Sequence, residues 1–427
     1  MKRYRIGYTA GVFDLLHEGH INILKRAKEQ CEKLIVAVTT DELCLARKNH
    51  KPVIPFEERC AAIEDTGLPN IVVAQKDMDK LRACLENGVD AVFVGSDWKD
   101  TEYWNDLEKK LMLYSIPIVY LARTPNCSST ALRNLVLKYD ICFYRDMGGY
   151  SILQSKSKDF YIDIPDSIGV YPVVEIESRS FAFSPAKRIR VGNNVSIIGD
   201  EAFFGCEDLE RIQLPSGLRK IGKAAFWGCS NLRCLDFPPG MMELPEYLAQ
   251  NCNALTKVTI PESVTRIHQK CFDYDSPCVC EHNGVLYINN WVIGAKIDKN
   301  EAVYVVDGCV GIADAAFLAN TSLASIKLPS SIRYVGAFSF DGSGIWNKTK
   351  EGDVVYADNW AVGIREADFS PKAIMLKRNT IGIGDLAFAC NRDLSFVNGL
   401  ENVRFIGRSA FKGCPRLSQG MSLGGNK

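Results

Sequence analysis

A unit of 23 residues recurs through the second half of the chain. Its clearest copies read IGDEAFFGC from Ile198, IGKAAFWGC from Ile221 and LPEYLAQNC from Leu244. The other copies begin at Ile176, Ile267, Ile312, Val335, Ile383 and Ile406. A unit this short cannot bury its own apolar face, so successive copies have to stack on one another. The sequence therefore predicts a solenoid over residues 175–415, with a core ladder of Ile, Leu, Phe and Cys side chains, and a frayed tail at 416–427.

The cysteines are a second regular feature of these copies. Three of them recur with the same spacing, namely Cys206, Cys229 and Cys252. Free cysteine packs well as a small buried hydrophobe, so a core ladder is favoured over a reactive or metal-binding row. The 16 cysteines are spread through a long chain without an export signal, which favours reduced thiols. The close pair Cys278 and Cys280, with His282 nearby, leaves a zinc site as an alternative.

Two segments interrupt the period, and each contains a tryptophan. They read VLYINNWVIG at 285–294 and VVYADNWAVG at 354–363. The Asn-Asn and Asp-Asn pairs tolerate a positive φ and lie between apolar residues, which predicts a β-hairpin in each segment. Trp291 and Trp360 are expected to pack within the solenoid, with ligand binding by these rings as the alternative.

Residues 1–140 follow a different pattern. Short β-branched runs alternate with amphipathic stretches, as in a parallel sheet with crossover helices. The predicted strands are 5–9, 34–39, 71–74, 91–94 and 117–121, and the predicted helices include 19–30, 56–65 and 79–87. We therefore expect a doubly wound, Rossmann-like α/β domain, in which ligands bind at the carboxyl ends of the strands. Residues 141–174 are expected to form a linker and a cap for the solenoid.

Length and charge exclude several classes of protein. A chain of 427 residues exceeds what one hydrophobic core usually supports. The 51 basic and 51 acidic residues leave no net charge, which gives no support for a general nucleic-acid or membrane-surface role. No apolar run approaches the length of a membrane span, and the first residues lack the apolar core of a signal peptide. The chain is therefore expected in the cytoplasm.

The clearest candidate for chemistry follows the first predicted strand, in the segment AGVFDLLHEGH. His17 and His20 lie on either side of Gly19, where the predicted helix 19–30 opens. A helix N-terminus offers unpaired N–H groups and the positive end of a dipole to phosphate oxygens. Imidazole donors at that place suit phosphoryl transfer, which depends on positioning and on charge stabilisation. A histidine pair alone is also compatible with a helix cap or a surface feature.

Four segments of the first domain together resemble a known family. GVFDLLHEGH matches the nucleotidyltransferase pattern GxFDxxHxGH at each fixed position. PVIPFEER at 52–59, GSDW at 95–98 and RTPNCSST at 123–130 are similar to the corresponding segments of glycerol-3-phosphate cytidylyltransferases and their choline- and ethanolamine-phosphate relatives. This resemblance spans about residues 4–138. The repeats in turn resemble the BspA-like leucine-rich repeats of bacterial surface antigens.

The first resemblance implies transfer of CMP from CTP to a small phosphorylated alcohol, with Mg²⁺ carried by the nucleotide phosphates. The GSDW segment favours glycerol 3-phosphate as the acceptor, while choline, ethanolamine, ribitol and erythritol phosphates stay open. Adenylyl transfer also stays open, as does a role as a non-catalytic interaction scaffold. Members of the family commonly form dimers, and the repeats are expected to bind a protein or a glycan.

The resemblance also assigns roles to residues. His17, His20 and Arg123 are expected to be catalytic. The expected contacts to CTP are Val12, Phe13, His17, Gly19, His20, Lys51, Arg59, Arg123, Thr124, Ser128, Ser129 and Thr130. The expected contacts to the acceptor are Arg47, Lys48 and Lys80, and the further lining residues are Asp14, Asp97 and Trp98. Two places depart from the family pattern, because Val12 replaces a common threonine and the lysines near Lys51 do not align cleanly.

Overall fold

A computed structural model describes residues 2–122, 124, 132–133, 136–144, 148–299, 301–365 and 371–417. The chain divides into two compact units. The first consists of Met1–Lys156 with Pro165–Val174, and the second of Ser157–Ile164 with Glu175–Lys427. The segment 141–174, predicted as linker and cap, is thus shared between the two units. No helix in the described ranges combines the length and the apolar character that crossing a bilayer requires.

The first unit contains a five-stranded parallel sheet with the strand order β3-β2-β1-β4-β5. Its strands are β1 (Tyr4–Gly11), β2 (Cys31–Thr39), β3 (Ile71–Gln75), β4 (Ala91–Gly95) and β5 (Ile118–Leu121). Its helices are α1 (Glu18–Gln30), α2 (Asp41–Lys48), α3 (Phe56–Asp65), α4 (Lys80–Glu86) and α5 (Glu102–Met112), with a 3₁₀ turn at Ser96–Trp98. The predicted doubly wound α/β fold is confirmed, with each predicted strand and helix present within a few residues.

Strand β2 shows why this sheet needs helices on both of its faces. Successive side chains of a strand point to opposite faces. Leu34 and Val36 belong to one buried cluster together with α1, whereas Ile35 and Ala37 belong to another together with α5. A strand that is buried on both faces reads as a continuous apolar run, as in a parallel sheet covered by helices.

The strand order brings two chain segments together at one edge of this sheet. Strand β2, which follows β1 in the chain, lies on one side of the β1–β4 pair, whereas β5, which follows β4, lies on the opposite side. The crevice beyond the carboxyl ends at such a reversal is where ligands bind in this class of fold. The chain that leaves β1 carries His17 and His20, and the chain that leaves β4 carries Asp97 and Trp98.

The first unit ends with a β-extension. Strands β6 (Tyr139–Tyr144) and β7 (Gly149–Ser155) pair antiparallel. Further along the chain, Ser167–Ile168 pairs antiparallel with the beginning of the strand Tyr171–Ile176. Residues 165–174 return to the first unit although residues 157–164 belong to the second.

The second unit is a solenoid in which each turn contributes two short parallel strands. The strands of one row are Tyr161–Asp163, Arg188–Arg190, Arg211–Gln213, Cys234–Asp236, Lys257–Thr259, Glu301–Tyr304, Leu323–Lys327, Ala373–Met375 and Phe396–Asn398. Those of the other row are Ile197–Ile198, Lys220–Ile221, Glu243–Leu244, Arg266–Ile267, Gly311–Ile312, Tyr334–Val335, Gly382–Ile383 and Phe405–Ile406. Ile198 pairs with Ile221 and Leu244 with Ile267, so the register equals the sequence period.

Between the two rows, phenylalanine and cysteine side chains stack from turn to turn. The rings of Phe181, Phe203 and Phe226 lie 5.4 and 5.5 Å apart between successive centroids. The Sγ of Cys229 donates to the carbonyl oxygen of Phe203 at 3.2 Å, and the neighbouring ladder cysteines repeat this bond. Each thiol thereby satisfies a buried carbonyl of the preceding turn. The cysteines in the described ranges are free thiols, and no three potential ligands there are close enough to hold a metal ion.

The two segments that interrupt the period form β-hairpins. Val285–Ile288 pairs antiparallel with Trp291–Ala295, and Val354–Ala357 pairs with Trp360–Ile364. The indole of Trp291 stacks on Tyr334, and that of Trp360 stacks on Phe405, in each case with centroids 5.8 Å apart. Both indoles are almost fully buried, which supports packing within the solenoid over ligand binding. Within the described ranges, the second unit also contains the short helix Gly344–Lys348 and a 3₁₀ turn at Leu400–Asn402.

A cluster of charged residues joins distant repeats of the solenoid. The Arg266 guanidinium lies 2.7 Å from the Asp314 carboxylate, and the His268 ring lies 3.2 Å from Asp314 and 3.1 Å from Glu243. Arg408 pairs with the same Glu243. The hydrogen bond to Asp314 contributes most to raising the pKa of His268 above its usual value, and the bond to Glu243 adds to the shift, although burial opposes it.

Candidate active site

A cavity of about 620 Å³ opens at the carboxyl ends of β1 and β4 in the first unit. Its lining comes from the β1–α1 loop, the start of α1, the end of α2, the end of β3 and the turn after β4. The size lies within the range of about 300–1,000 Å³ that is typical of small-molecule sites. The predicted site residues in this lining are Val12, Phe13, Asp14, His17, Gly19, His20, Arg47, Lys48, Lys80, Asp97, Trp98 and Thr124.

The loop between β1 and α1 has an unusual backbone. Phe13 and Leu15 adopt positive φ angles of 52° and 48°. Residues other than glycine rarely adopt this left-handed conformation. Such conformations persist only where the surroundings hold them in place. Asp14 supplies part of this support, because its carboxylate accepts hydrogen bonds from the backbone N–H groups of Val53 and Ile54 at 2.9 and 3.0 Å. Asp14 thus ties the loop to the segment that precedes α3.

Arg59 supports the same loop from behind the cavity. Its side chain is 1% exposed and does not belong to the cavity lining. The guanidinium donates to the carbonyl oxygens of Val12 and Ile54 and to the carboxylate of Asp41, the last at 2.6 Å. Its donors are therefore used within the protein, whereas the sequence predicted a contact with CTP. Lys51, the other predicted contact from this region, is exposed and is also outside the lining.

His17 and His20 form the centre of the cavity wall. His17 is the N-cap residue of α1, and its carbonyl oxygen accepts from the backbone N–H of His20 at 2.9 Å. The two rings stack with centroids 3.8 Å apart, and the edge of Phe13 packs on His20 at 5.3 Å. The spacing of the motif creates this stack, because the extended backbone at His17 and the first helical turn bring the two side chains to the same face.

Burial sets the protonation state of these histidines. It lowers the pKa of His17, and for His20 burial, followed by the nearby His17 and Lys48, lowers the pKa to about 3. Both rings are therefore neutral near pH 7, and each carries one N–H donor. Among the residues that the structure describes, no partner lies within hydrogen-bond distance of the buried Nδ1 of His20. The N–H groups of the first turn of α1 are suited to an anion.

Three of the cationic side chains that line the cavity were predicted from the sequence. Arg47 and Lys48 come from the last turn of α2, and Lys80 opens α4. Lys80 is 6% exposed, with its Nζ 5.7 and 5.8 Å from the ring centroids of Tyr103 and Trp104. Burial, followed by the charge of Arg47, lowers the pKa of Lys80 to about 8. A lysine held in this way gains from any anion that binds beside it.

The turn after β4 and the end of β3 complete the wall. Asp97 and Trp98 lie in the turn Ser96–Trp98, and a Cβ on Gly95 would come within 2.5 Å of the Asp97 carboxylate. From β3, the Gln75 side chain accepts a hydrogen bond from the Thr39 hydroxyl at 2.8 Å and donates to the carbonyl of Asp77 at 3.1 Å. Glycine at position 95 therefore leaves the space that the Asp97 side chain fills.

Several lining residues were not predicted from the sequence. His50 and Arg133 meet at the cavity, with ring and guanidinium nitrogens 2.6 Å apart, and Gln75, Tyr103 and Trp104 also line it. None of these lies in a motif of the family, so no sequence signal singled them out. Thr124 is held by the Asn22 side chain at 3.1 Å. Arg123, Ser128, Ser129 and Thr130 lie outside the described residues.

Comparison with known proteins assigns both parts of the chain to families. Residues 172–279 and 298–418 match the family model of the BspA type leucine rich repeat region, and residues 8–135 match the cytidylyltransferase-like family. The glycerol-3-phosphate cytidylyltransferase of Bacillus subtilis (strain 168) is 32% identical over 127 residues, which are 29% of this chain and 92% of the relative. That of Staphylococcus aureus (strain NCTC 8325 / PS 47) is 32% identical over 126 residues, covering 29% of this chain and 89% of the relative.

A solved leucine rich repeat protein of T. pallidum is 25% identical to this chain over the matched region. The match covers 47% of this chain and 84% of that protein, with a TM-score of 0.35. Both resemblances that the sequence motifs indicated are confirmed by the family matches.

Proposed function

Because the chain belongs to the cytidylyltransferase-like family over residues 8–135 and to the BspA-type leucine-rich repeat family over 172–279 and 298–418, we propose that it transfers CMP from CTP to glycerol 3-phosphate. A nucleotidyltransferase domain follows from the family, whereas the nucleotide and the acceptor are our proposal. The observation that carries it is the stack of two neutral imidazoles at the N-terminus of α1, inside a cavity that lysine and arginine side chains also line. The named relatives from B. subtilis and S. aureus support CTP and glycerol 3-phosphate as substrates.

The proposed reaction is a direct in-line displacement. A phosphate oxygen of the acceptor attacks the α-phosphorus of CTP, a new P–O–P bond forms, and the bond to the β-phosphate breaks to release pyrophosphate. The nucleophile is already an anion, so the site needs no strong base. The protein's task is to hold two polyanions together and to stabilise the charge on the α-phosphate. His17, His20 and the first turn of α1 present N–H groups at the place where that charge would develop.

The cations have a separate task in this proposal. Arg47 and Lys80 lie close enough that the charge of Arg47 lowers the pKa of Lys80, so together they form a strongly positive corner. An acceptor phosphate would relieve this repulsion. The same corner disfavours the trimethylammonium group of choline phosphate, which supports the phosphate ester of an uncharged polyol as the acceptor. The family resemblance implied that Lys48 contacts the acceptor; because its charge lowers the pKa of His20, we assign it to the CTP phosphates instead.

We also propose that Mg²⁺ enters with CTP, held by phosphate oxygens and water. The Asp14 carboxylate, one of the acidic groups in the lining, already accepts two backbone hydrogen bonds. This lining suits a metal carried by the nucleotide better than a dedicated protein cage. Arg123, Ser128, Ser129 and Thr130 are expected to close over the triphosphate, as the family resemblance implies.

For the repeats we propose binding to a protein or a glycan partner, because stacked repeats provide an extended surface. We place the working site of the chain in the cytoplasm, where CTP is found. A homodimer through the first unit is the oligomeric state that the family resemblance favours.

The decisive test measures pyrophosphate release by the full chain with CTP or ATP against a panel of phosphorylated alcohols. We expect CTP with glycerol 3-phosphate to give the highest kcat/KM. His17→Ala should lower kcat by about a hundred- to a thousand-fold, as for one preorganised transition-state donor. His282→Ala, an exposed histidine of the repeats, serves as the matched control and should leave kcat unchanged. A preference for ATP, or near-normal turnover by His17→Ala, would contradict the proposal.

A further inference from the structure

Residues 167–172 form a β-hairpin whose tip contacts the β1–α1 loop. Ser167 pairs with Pro172 and Ile168 with Tyr171, which leaves Gly169 and Val170 as a two-residue turn. The backbone N–H of Val170 donates to the carbonyl oxygen of Leu16 at 2.9 Å. Leu16 immediately precedes His17. The hairpin therefore contacts the residue next to the N-cap imidazole.

Gly169 fits this contact in two independent ways. Its φ angle is 64°, the conformation that a turn with glycine in its first central position requires. In addition, a Cβ at this position would overlap the Leu16 carbonyl oxygen and lie within 3.1 Å of the Leu15 carbonyl oxygen. A side chain at position 169 would therefore have to displace the loop or the hairpin.

The hairpin is also anchored to the first unit beside the loop. Ile168 is fully buried, and the backbone N–H of Val173 donates to the carbonyl oxygen of Asp166 at 2.9 Å. Tyr171 packs against the core cluster that contains Phe13 and Leu16. Its hydroxyl lies 3.4 Å from the carbonyl oxygen of Ala62 in α3. The tip is thus held on a rigid part of the unit.

The loop needs support on this side. Asp14 and Arg59 fix its beginning, at Val12 and Asp14, from the direction of α3. Leu15, with its positive φ, and Leu16 come after those contacts and lead directly to His17. The matched family region ends at residue 135, so the hairpin lies beyond the part that this chain shares with the cytidylyltransferase-like family.

We propose that the 167–172 hairpin is a positioning element of the active site, in which Gly169 and the Val170 N–H set the place of the His17 imidazole through Leu16. This inference rests on the proposed function, since it assumes that His17 acts in nucleotidyl transfer. Gly169 and Val170 are positioning residues, because they act through the loop and not on the substrate.

The test compares two glycines with the same backbone angle. Gly169→Ala is expected to lower kcat by at least about tenfold, because small misplacements of a catalytic group are costly. Gly67→Ala is the control, since Gly67 also has a φ of 64° but no described atom lies within 4 Å of its Cβ position. It shares the positive φ without the clash and should keep kcat within about twofold of the wild type. Equal kcat values for the two variants would overturn the inference.

A double-mutant cycle separates positioning from general destabilisation. If the hairpin acts through His17, Gly169→Ala should have little effect on kcat in a His17→Ala background. The same tenfold loss in both backgrounds would show a role in stability alone and would overturn the inference. Val170→Pro, which removes the N–H without adding an atom at position 169, replaces Gly169→Ala in the cycle if that variant does not fold.

A readout that does not depend on turnover distinguishes failure of this inference from failure of the proposed function. The chain has 5 histidines, so selectively labelled histidine gives few ring signals, and the His17 signal is identified by its loss in His17→Ala. We expect this signal to shift in Gly169→Ala and to stay in place in Gly67→Ala. An unshifted His17 signal in folded Gly169→Ala would overturn the inference even if the wild type turns over CTP. A wild type without turnover would instead contradict the proposed function.

Discussion

Lys80 gives the sharpest test of how the proposed site holds its acceptor. Burial and Arg47 lower the pKa of this lysine to about 8. A group with such a pKa is about 90% protonated at pH 7 and about 10% protonated at pH 9. If the ammonium binds the acceptor phosphate, kcat/KM for the acceptor should fall by about tenfold over this range. This fall reflects the pKa of Lys80 in the free enzyme, because the pH dependence of kcat/KM reports groups of the free enzyme and the free substrate.

Three titratable groups close to Lys80 stay in one charge state over this range. Burial raises the pKa of Cys84 to about 12 and also raises that of Tyr103, while the pKa of Asp77 is lowered by its hydrogen bond from the Asp79 backbone. The acceptor phosphate loses its second proton near pH 6, so it is a dianion throughout the range. A fall in kcat/KM between pH 7 and 9 would therefore not come from these groups, and variants of Lys80 test whether it comes from the lysine.

Two variants complete this experiment, with initial rates measured at saturating CTP and varied glycerol 3-phosphate. Lys80→Arg keeps its charge at pH 9 and should give a flat profile. Lys80→Met removes a charge-assisted hydrogen bond worth about 1.5–3 kcal/mol, so it should raise KM for the acceptor by roughly 10- to 150-fold at pH 7 and also give a flat profile. An unchanged wild-type kcat/KM up to pH 9, or an equal fall in Lys80→Arg, would refute this role for Lys80.

Two further predictions concern stability. Arg59→Met should lower the free energy of unfolding by about 3 kcal/mol in urea denaturation, because it leaves Asp41 and two carbonyls without their donor. Arg82→Met, which breaks only exposed ion pairs, should cost less than about 1 kcal/mol, and equal losses would contradict the structural role of Arg59. The folded state raises the pKa of His268, so the stabilisation it supplies is present below its unfolded pKa of about 6.5 and is lost as the pH rises through the folded value. The urea midpoint of the repeats should therefore decrease with pH in the wild type more than in His268→Gln, and parallel curves would contradict this contribution.

The features that could be predicted from the sequence are those whose causes are local in the chain. The repeat fixes the register of the solenoid, because each strand pairs with the copy that follows it, as Ile198 does with Ile221. The His17 and His20 pair could be placed because a strand end and a helix start are enough to define its surroundings. Both cases depend on neighbours in sequence or on a constant period.

The features that could not be predicted depend on which way a side chain faces and on which distant segments meet. Arg59 lies on a helix with acidic neighbours, and its sequence position does not tell whether it faces the cavity or the Val12 carbonyl behind it. Gln75 and Trp104 line the cavity only because the end of β3 and the start of α5 lie at the same end of the sheet as the end of β1, which follows from the strand order. Nothing in the pattern around Gly169 indicates contact with Leu16, because a two-residue turn looks the same wherever it docks.

In the proposed site, the groups that attract the substrates differ from the groups that position the α-phosphate. Two protonated rings only 3.8 Å apart would repel each other, whereas His17 and His20 are kept neutral by burial and still offer one N–H each. Cations such as Arg47 and Lys80 then attract the two polyanionic substrates. The rings of His17 and His20, which the β1–α1 loop holds, position the α-phosphate. The histidines therefore stay neutral as the pH rises above 7, and Lys80 is the group whose loss of charge should limit the reaction as the pH rises.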